Sequence, residues 1–122
     1  MTLDAAAHGL AWVAVLVTAG IAATCIPDPR AGMVRLTHIV DQLPNVMLGR
    51  YLAFTGFTAF LAWMGDLRFM AGWGVALAFM AFADTFIYAR LGKPFVKHLS
   101  AGVAAVVITG IMVAALISNG AA

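Results

Sequence analysis

Four long apolar runs, each bounded by proline, glycine or polar residues, take up most of this chain of 122 residues. They cover roughly Leu10–Ile26, Val46–Met64, Phe69–Tyr88 and Phe95–Ile117. A helix that crosses the hydrocarbon core of a bilayer needs about 20 mostly apolar residues. No run alternates apolar and polar residues as a strand would, so helices are the only candidate for the spans. The sequence therefore predicts an all-α integral membrane four-helix bundle, folded as a single domain over residues 1–122.

The composition excludes a water-soluble domain. Apolar residues make up 64% of the chain, charged residues only 10%, and the mean hydropathy is +1.01, whereas soluble domains are about 45–50% apolar and about 25% charged. The net charge of +2 is too small and too scattered for nucleic-acid binding, which needs clustered basic surface. The single cysteine, Cys25, rules out an internal disulfide, a Cys-rich zinc site and a CxxC redox pair. The partner expected from composition is the lipid bilayer.

The segment Arg30–Leu43, between the first two runs, has a pattern of its own. Met33, Leu36, Val40 and Leu43 recur at helical spacing, while the polar side chains fall mostly elsewhere on the helix. This pattern predicts a short amphipathic helix that lies in the membrane interface. An ordered loop without membrane contact is the alternative.

Basic residues indicate the orientation of the chain. Most of them occupy the first and third connections between the runs: Arg30, Arg35, Arg90, Lys93 and Lys97. The two termini and the second connection together carry only Arg68. Because short basic loops stay in the cytoplasm, we expect both termini outside, the first and third connections inside, and a location in a bacterial inner membrane.

Two charged residues, Arg50 and Asp84, lie well inside predicted spans, whereas Lys97 lies at the edge of the fourth. An ionisable side chain in the hydrocarbon is costly unless it is paired or hydrated, so each is a candidate functional residue. The second and third runs form an antiparallel hairpin, and the two residues lie equally far from its turn at Leu67. They therefore share a depth, about 25 Å from the outer turn at 1.5 Å per residue. Their opposite charges predict an ion pair near the cytoplasmic side.

Tyr88 and His98 are expected in the same polar layer. The predicted ligand-binding set is Arg50, Asp84, Tyr88 and His98, and the candidate catalytic residues are Asp84 and His98. A purely structural interpretation stays open, because a buried polar pair can serve only to fix how helices pack. Arg50 could instead extend to the cytoplasmic interface, and His98 could be an ordinary interfacial histidine at a helix start.

Small residues predict where helices meet. On the third span, residues four positions apart form one face: Gly72, Ala76, Met80, Asp84 and Tyr88. On the fourth span, the same spacing gives a face of Gly102, Val106, Gly110 and Ala114. Small residues let helix backbones approach closely in lipid. Trp63 and Trp73 are expected in an aromatic belt at the outer surface.

The sequence predicts no metal and no cofactor. A metal site needs three or four ligands, and Asp84 with His98 supplies at most half of one. Retinal chemistry needs a lysine inside the bundle, and both lysines lie in or beside the third connection. A small multidrug antiporter has this length, but the glutamate that such proteins carry in their first helix has no counterpart in Leu10–Ile26.

The order of these features resembles small four-helix membrane proteins of the DoxX-like superfamily, and in particular an uncharacterised domain-of-unknown-function family within it. The motifs that carry the resemblance are Ile26-Pro27-Asp28-Pro29-Arg30, Gly49-Arg50-Tyr51, Ala83-Asp84-Thr85, Arg90-Leu91-Gly92 and His98. In such families an acid commonly follows the arginine within the same turn, and Tyr51-Leu52 departs from that pattern. The resemblance implies a fold and little about activity.

Four classes of function fit the sequence. The leading hypothesis is a membrane protein that binds a lipophilic small molecule or a membrane partner through the polar layer. A second is an enzyme that uses Asp84 as general acid or base on a lipophilic substrate, with His98 as proton partner. A third is an accessory subunit of a larger membrane complex, and a homo-oligomer, including a transporting dimer, is also open.

Overall fold

The computed structural model describes residues 3–120, with the side chains of 3–9, 11, 12 and 40 left out. This part of the chain is all-helical. It contains α1 (Leu3–Cys25), α2 (Pro29–Arg35), a short 3₁₀ turn (Val40–Gln42), α3 (Leu43–Met64), α4 (Leu67–Arg90) and α5 (Val96–Ser118). The chain divides within α3 into two compact units, Met1–Tyr51 and Leu52–Ala122.

Three of the helices, α3, α4 and α5, are long and apolar enough to cross a membrane. Their bounds agree with the second, third and fourth predicted spans to within three residues. In α1 the segment Val13–Cys25 is apolar but shorter. A fourth span in α1, and with it a bundle of four, stays a prediction.

The surfaces of these helices have the character of a membrane protein. No more than 11% of the residues in the most apolar stretch of each are buried. Large apolar side chains point outward, with Trp63 82% exposed, Phe79 74% and Leu52 65%. Soluble proteins rarely expose apolar surface this continuous, so the chain is a membrane protein whose helices present their apolar side chains to lipid.

In the first unit, α2 begins beside the end of α1. The Asp28 carboxylate accepts hydrogen bonds from the backbone N–H groups of Arg30 and Ala31 at 3.0 and 3.1 Å, and Pro29 occupies the first turn, where its missing N–H costs nothing. Gly32 packs so closely on the end of α1 that a Cβ would lie 2.7 Å from the Cys25 Cα. Only glycine fits this contact.

The continuous amphipathic helix predicted over Arg30–Leu43 is wrong in its length. The helix ends after Arg35, because Thr37 adopts a φ of 61° and the His38 N–H turns back to the Met33 carbonyl at 2.9 Å. This is the backbone pattern that closes a helix with a left-handed residue. The predicted segment is therefore a short helix followed by a 3₁₀ turn.

In the second unit, α4 and α5 form an antiparallel hairpin with a close interface. Its buried residues are small: Ala71 and Ala78 on α4, and Gly102 and Thr109 on α5. A Cβ at Gly102 would lie 2.9 Å from the Phe82 ring. The hairpin therefore packs through small residues and one ring.

Gly74 and Thr109 form the tightest point of this interface. A Cβ on Gly74 would overlap the Thr109 Oγ1. That oxygen is buried and has no hydrogen-bond partner among the described residues. It faces the Gly74 Cα–H, the arrangement of the weak Cα–H···O contacts that recur where helices pack closely.

The predicted small-residue faces agree with the observed interface at Gly102, which is buried, and differ from it elsewhere. Gly72 and Gly110 both have open space where a Cβ would be, and Val106 is 52% exposed. A spacing of four residues drifts by about 40° per step around a helix of 3.6 residues per turn, so such a set winds off the interface. The contact instead follows steps of three and four, as in Ala71, Gly74 and Ala78.

Large side chains, rather than small ones, join α3 to α4. The Trp73 indole N–H donates a hydrogen bond to the Thr58 Oγ1 at 2.8 Å. The rings of Phe54 and Phe57 meet Trp73 edge-on, with centroids 5.4 and 5.1 Å away. The indole N–H of Trp73 therefore has its hydrogen-bond partner within the protein. The sequence instead predicted a place for Trp73 in an aromatic belt at the membrane surface.

We predict that Gly74→Ala destabilises the protein and that Gly72→Ala does not. The methyl group at residue 74 must displace Thr109, at a cost of about 1–3 kcal/mol for overpacking. The methyl group at residue 72 enters open space and raises helix propensity by up to about 1 kcal/mol. Thermal unfolding in detergent measures both. The change Thr109→Ala should restore most of the loss in Gly74→Ala, and equal effects at residues 72 and 74 would contradict the interface.

Candidate functional site

The end of α4 and the beginning of α5 carry the polar side chains of the candidate site. Helix α4 closes at Gly92, which has a φ of 62°. The Lys93 N–H turns back to the Tyr88 carbonyl at 2.9 Å, and the Gly92 N–H to the Ala89 carbonyl at 3.1 Å. This glycine-based C-cap ends the helix, and Pro94 follows directly. The chain then reverses into α5 and brings its first turn back beside the last turns of α4.

Three of the four predicted ligand-binding residues meet at this end of the hairpin. Asp84 and Tyr88 lie one turn apart on α4, so they share a face of the helix. His98 on α5 places its Nδ1 3.5 Å from the Asp84 Oδ2. The Tyr88 ring stacks on the His98 ring, with centroids 4.8 Å apart and planes inclined by 16°. We call Asp84, Tyr88 and His98 the hairpin site.

The geometry of the hairpin site is that of an open polar surface. The His98 and Asp84 side chains are 34% and 46% exposed, and Tyr88 is 40% exposed. At 3.5 Å the imidazole and the carboxylate are too far apart for a strong hydrogen bond, but a protonated His98 would form an ion pair with Asp84. Both groups also keep hydrogen-bonding capacity toward a third molecule.

The chemistry of the hairpin site combines three functions. A carboxylate accepts hydrogen bonds or pairs with a cation, an imidazole donates or accepts a proton, and a phenol offers both a hydroxyl and a flat face. Together they can hold the polar group of a small molecule, or move a proton to or from it.

Arg50, the fourth predicted residue, belongs to the first unit. Its Nη1 lies 3.9 Å from the Met47 Sδ, one turn earlier on α3. The expected ion pair between Arg50 and Asp84 joins residues of different units and stays a prediction. Within the second unit, the partner of Asp84 is His98.

A sequence signal for the Asp84–His98 pair exists. The two residues lie at similar distances on either side of Gly92, so an antiparallel hairpin about that glycine brings them to nearly the same depth. The same rule about the turn at Leu67 pairs Asp84 with Arg50 and leaves His98 only in the same layer.

Other features of the described chain lie outside the hairpin site. Among the described residues, no group of three His, Cys, Asp or Glu side chains could hold a metal ion. A shallow, open depression of about 460 Å³ lies at the other end of the second unit, lined by Met64, Gly65, Asp66, Leu67, Arg68, Leu116 and Asn119. At 1.5 Å per residue, Asp66 is about 27 Å along α4 from Asp84, so this depression is separate from the site.

Comparisons with protein-family models, with curated proteins and with solved structures each found no match to this chain.

We predict energetic coupling between Asp84 and His98. The changes Asp84→Asn and His98→Gln should each lower the thermal stability in detergent. The double variant should lose less stability than the sum of the two single losses. The expected coupling is about 0.5–1 kcal/mol, because both groups are partly exposed and exposed pairs contribute little.

The same cycle with Arg50→Ala tests the pair predicted from the sequence. Coupling of Asp84 to Arg50 alone, with additive effects for Asp84 and His98, would contradict the pairing observed in the hairpin site.

Proposed function

We propose that this chain is a four-span membrane protein that binds a lipophilic small molecule, or a membrane partner, through a polar layer of Arg50, Asp84, Tyr88 and His98. The observation that carries the proposal is the hairpin site, with the Tyr88 ring stacked on His98 and His98 facing Asp84. Polar residues at membrane depth are expensive and are usually retained for binding or chemistry.

The depth of the hairpin site favours an amphiphilic ligand. Asp84 lies six residues before the end of α4 at Arg90, which is about 9 Å along the helix. A ligand that reaches Asp84 must pass its polar group below the headgroups while its apolar part stays among the acyl chains. The partial exposure of all three side chains supports lateral entry from the lipid.

The Asp84–His98 pair also favours a second candidate, an enzyme. In this mechanism Asp84 acts as general acid or base on a lipophilic substrate, and His98 exchanges the proton with it. A carboxylate beside an imidazole is a common arrangement for proton transfer. Full activity in a well-folded Asp84→Asn protein would exclude this candidate.

The relationship to the DoxX-like superfamily belongs to the same proposal. The motifs around Arg50, Asp84 and His98 support it. Membership of that superfamily would imply a fold for this chain but no activity. An accessory role in a larger complex is a further outcome that the ligand experiment below distinguishes.

We predict that a small amphiphile co-purifies with the protein from native membranes and that mass spectrometry detects it near one per chain. Asp84→Asn and Tyr88→Leu should lower its affinity at least about tenfold, since the loss of one good polar or stacking contact is worth about 1.4 kcal/mol. The matched control is Ser100→Ala on α5, because the Ser100 hydroxyl donates a hydrogen bond to the Lys97 carbonyl of its own helix at 2.9 Å.

Retention of the amphiphile in both folded variants would refute the ligand site. A stoichiometric protein, in place of a small molecule, would favour the accessory subunit.

We further predict that both termini and the α3–α4 turn face outward and that the two other connections face the cytoplasm of a bacterial inner membrane. Cys25 is the only cysteine, so a single cysteine introduced at Arg68 in a Cys25→Ser background gives a second reporter. An impermeant maleimide should label the residue 68 reporter in intact cells and should label Cys25 only after the membrane is opened. Labelling of both from the same side would contradict the topology.

A further inference from the structure

The turn between α4 and α5 carries an uncompensated positive charge. Arg90, Lys93 and Lys97 are all exposed, and no acidic residue follows Asp84 in the sequence. Within the described part of the chain, none of the three cations forms a salt bridge with a carboxylate. The charge of this turn is therefore available to an anionic partner.

Exposed apolar side chains alternate with these cations. Leu91 and Val96, on the two sides of the turn, are 66% and 68% exposed. The Arg90 guanidinium lies over the Phe86 ring, 5.4 Å from its centroid, and Phe86 itself is 60% exposed. Charged groups of Lys or Arg that lie over apolar surface are typical of side chains that extend from the acyl region to the lipid headgroups.

The lengths of the helices place the turn at the headgroup level. Helices α4 and α5 have 24 and 23 residues, about 36 and 34 Å at 1.5 Å per residue. The hydrocarbon core is about 30 Å thick. Residues at the ends of both helices therefore emerge where lipid phosphates lie.

The turn is also conformationally fixed. Gly92 at a φ of 62° and the bond from the Lys93 N–H to the Tyr88 carbonyl hold the backbone. Pro94 has a fixed φ and restricts the preceding residue, Lys93. Because the backbone of the turn is already held, binding of an anion orders the side chains but not the chain that carries them.

We infer that Arg90, Lys93 and Lys97, with Leu91 and Val96 between them, form a binding surface for the phosphate of an anionic phospholipid. The cations pair with the phosphate, and the apolar side chains contact the upper acyl chains. This surface adjoins the hairpin site, since Lys97 precedes His98, but it consists of different side chains and does not depend on the ligand proposed there. The interleaved apolar side chains at the headgroup level favour a lipid over an acidic soluble protein.

The experiment uses the full chain, delipidated in detergent and titrated with phosphatidylglycerol or with phosphatidylcholine of the same acyl chains. Native mass spectrometry measures the affinity for each lipid. Each cation near an anionic lipid contributes roughly a fivefold preference, so the wild-type protein should prefer phosphatidylglycerol at least about tenfold. The variant R90Q/K93Q/K97Q should reduce this preference to within about twofold.

The matched control, R30Q/R35Q/R68Q, removes the same number of charges elsewhere and should keep most of the preference. Thermal unfolding checks that each variant is folded. If the triple variant does not fold, the single changes K93Q and K97Q should each reduce the preference about three- to fivefold. Preference retained in the folded variants, or lost equally in the control, would overturn the inference. The inference would also be overturned if an acidic protein co-purified with the wild type but not with the triple variant, while the triple variant kept the wild-type lipid preference.

Discussion

Close contact between the backbones of α4 and α5 is the interaction on which the second unit depends. In a bilayer, apolar side chains gain little by leaving lipid for protein, so helices associate through van der Waals contact and weak polar contacts. Such contact is strongest where the side chains are smallest. Gly74 against Thr109 and Gly102 against Phe82 provide it, and the surrounding helix faces keep their large apolar residues toward lipid.

The hairpin site is a consequence of this contact. Asp84 and Tyr88 reach His98 because the same antiparallel pairing that sets Gly74 against Thr109 continues to the end of α4, where Gly92 reverses the chain. The site and the basic turn therefore share one rigid support. A polar site at the end of a tightly packed helix pair keeps its geometry without a large core.

The long helices could be predicted from the sequence because apolar runs of about 20 residues have few other solutions in a membrane protein. Their ends followed from local chemistry, because proline, glycine or polar residues bound each apolar run. Arg30–Leu43 was predicted less well. Its apolar residues do recur at helical spacing, but the left-handed conformation of Thr37 ends the helix. The sequence pattern does not predict a positive φ there, because a β-branched residue such as threonine rarely adopts one.

The membrane character and the three long apolar helices were determined by the sequence alone, since hydrophobic length and breaker residues act locally along the chain. The tertiary structure decided which faces of α4 and α5 meet and which side chain stands beside Asp84. Those choices depend on the rotation of each helix about its axis, and a shift of one residue turns a side chain by about 100°. For this reason the sequence placed Asp84 and His98 in one layer, while only the packed hairpin showed that they face each other.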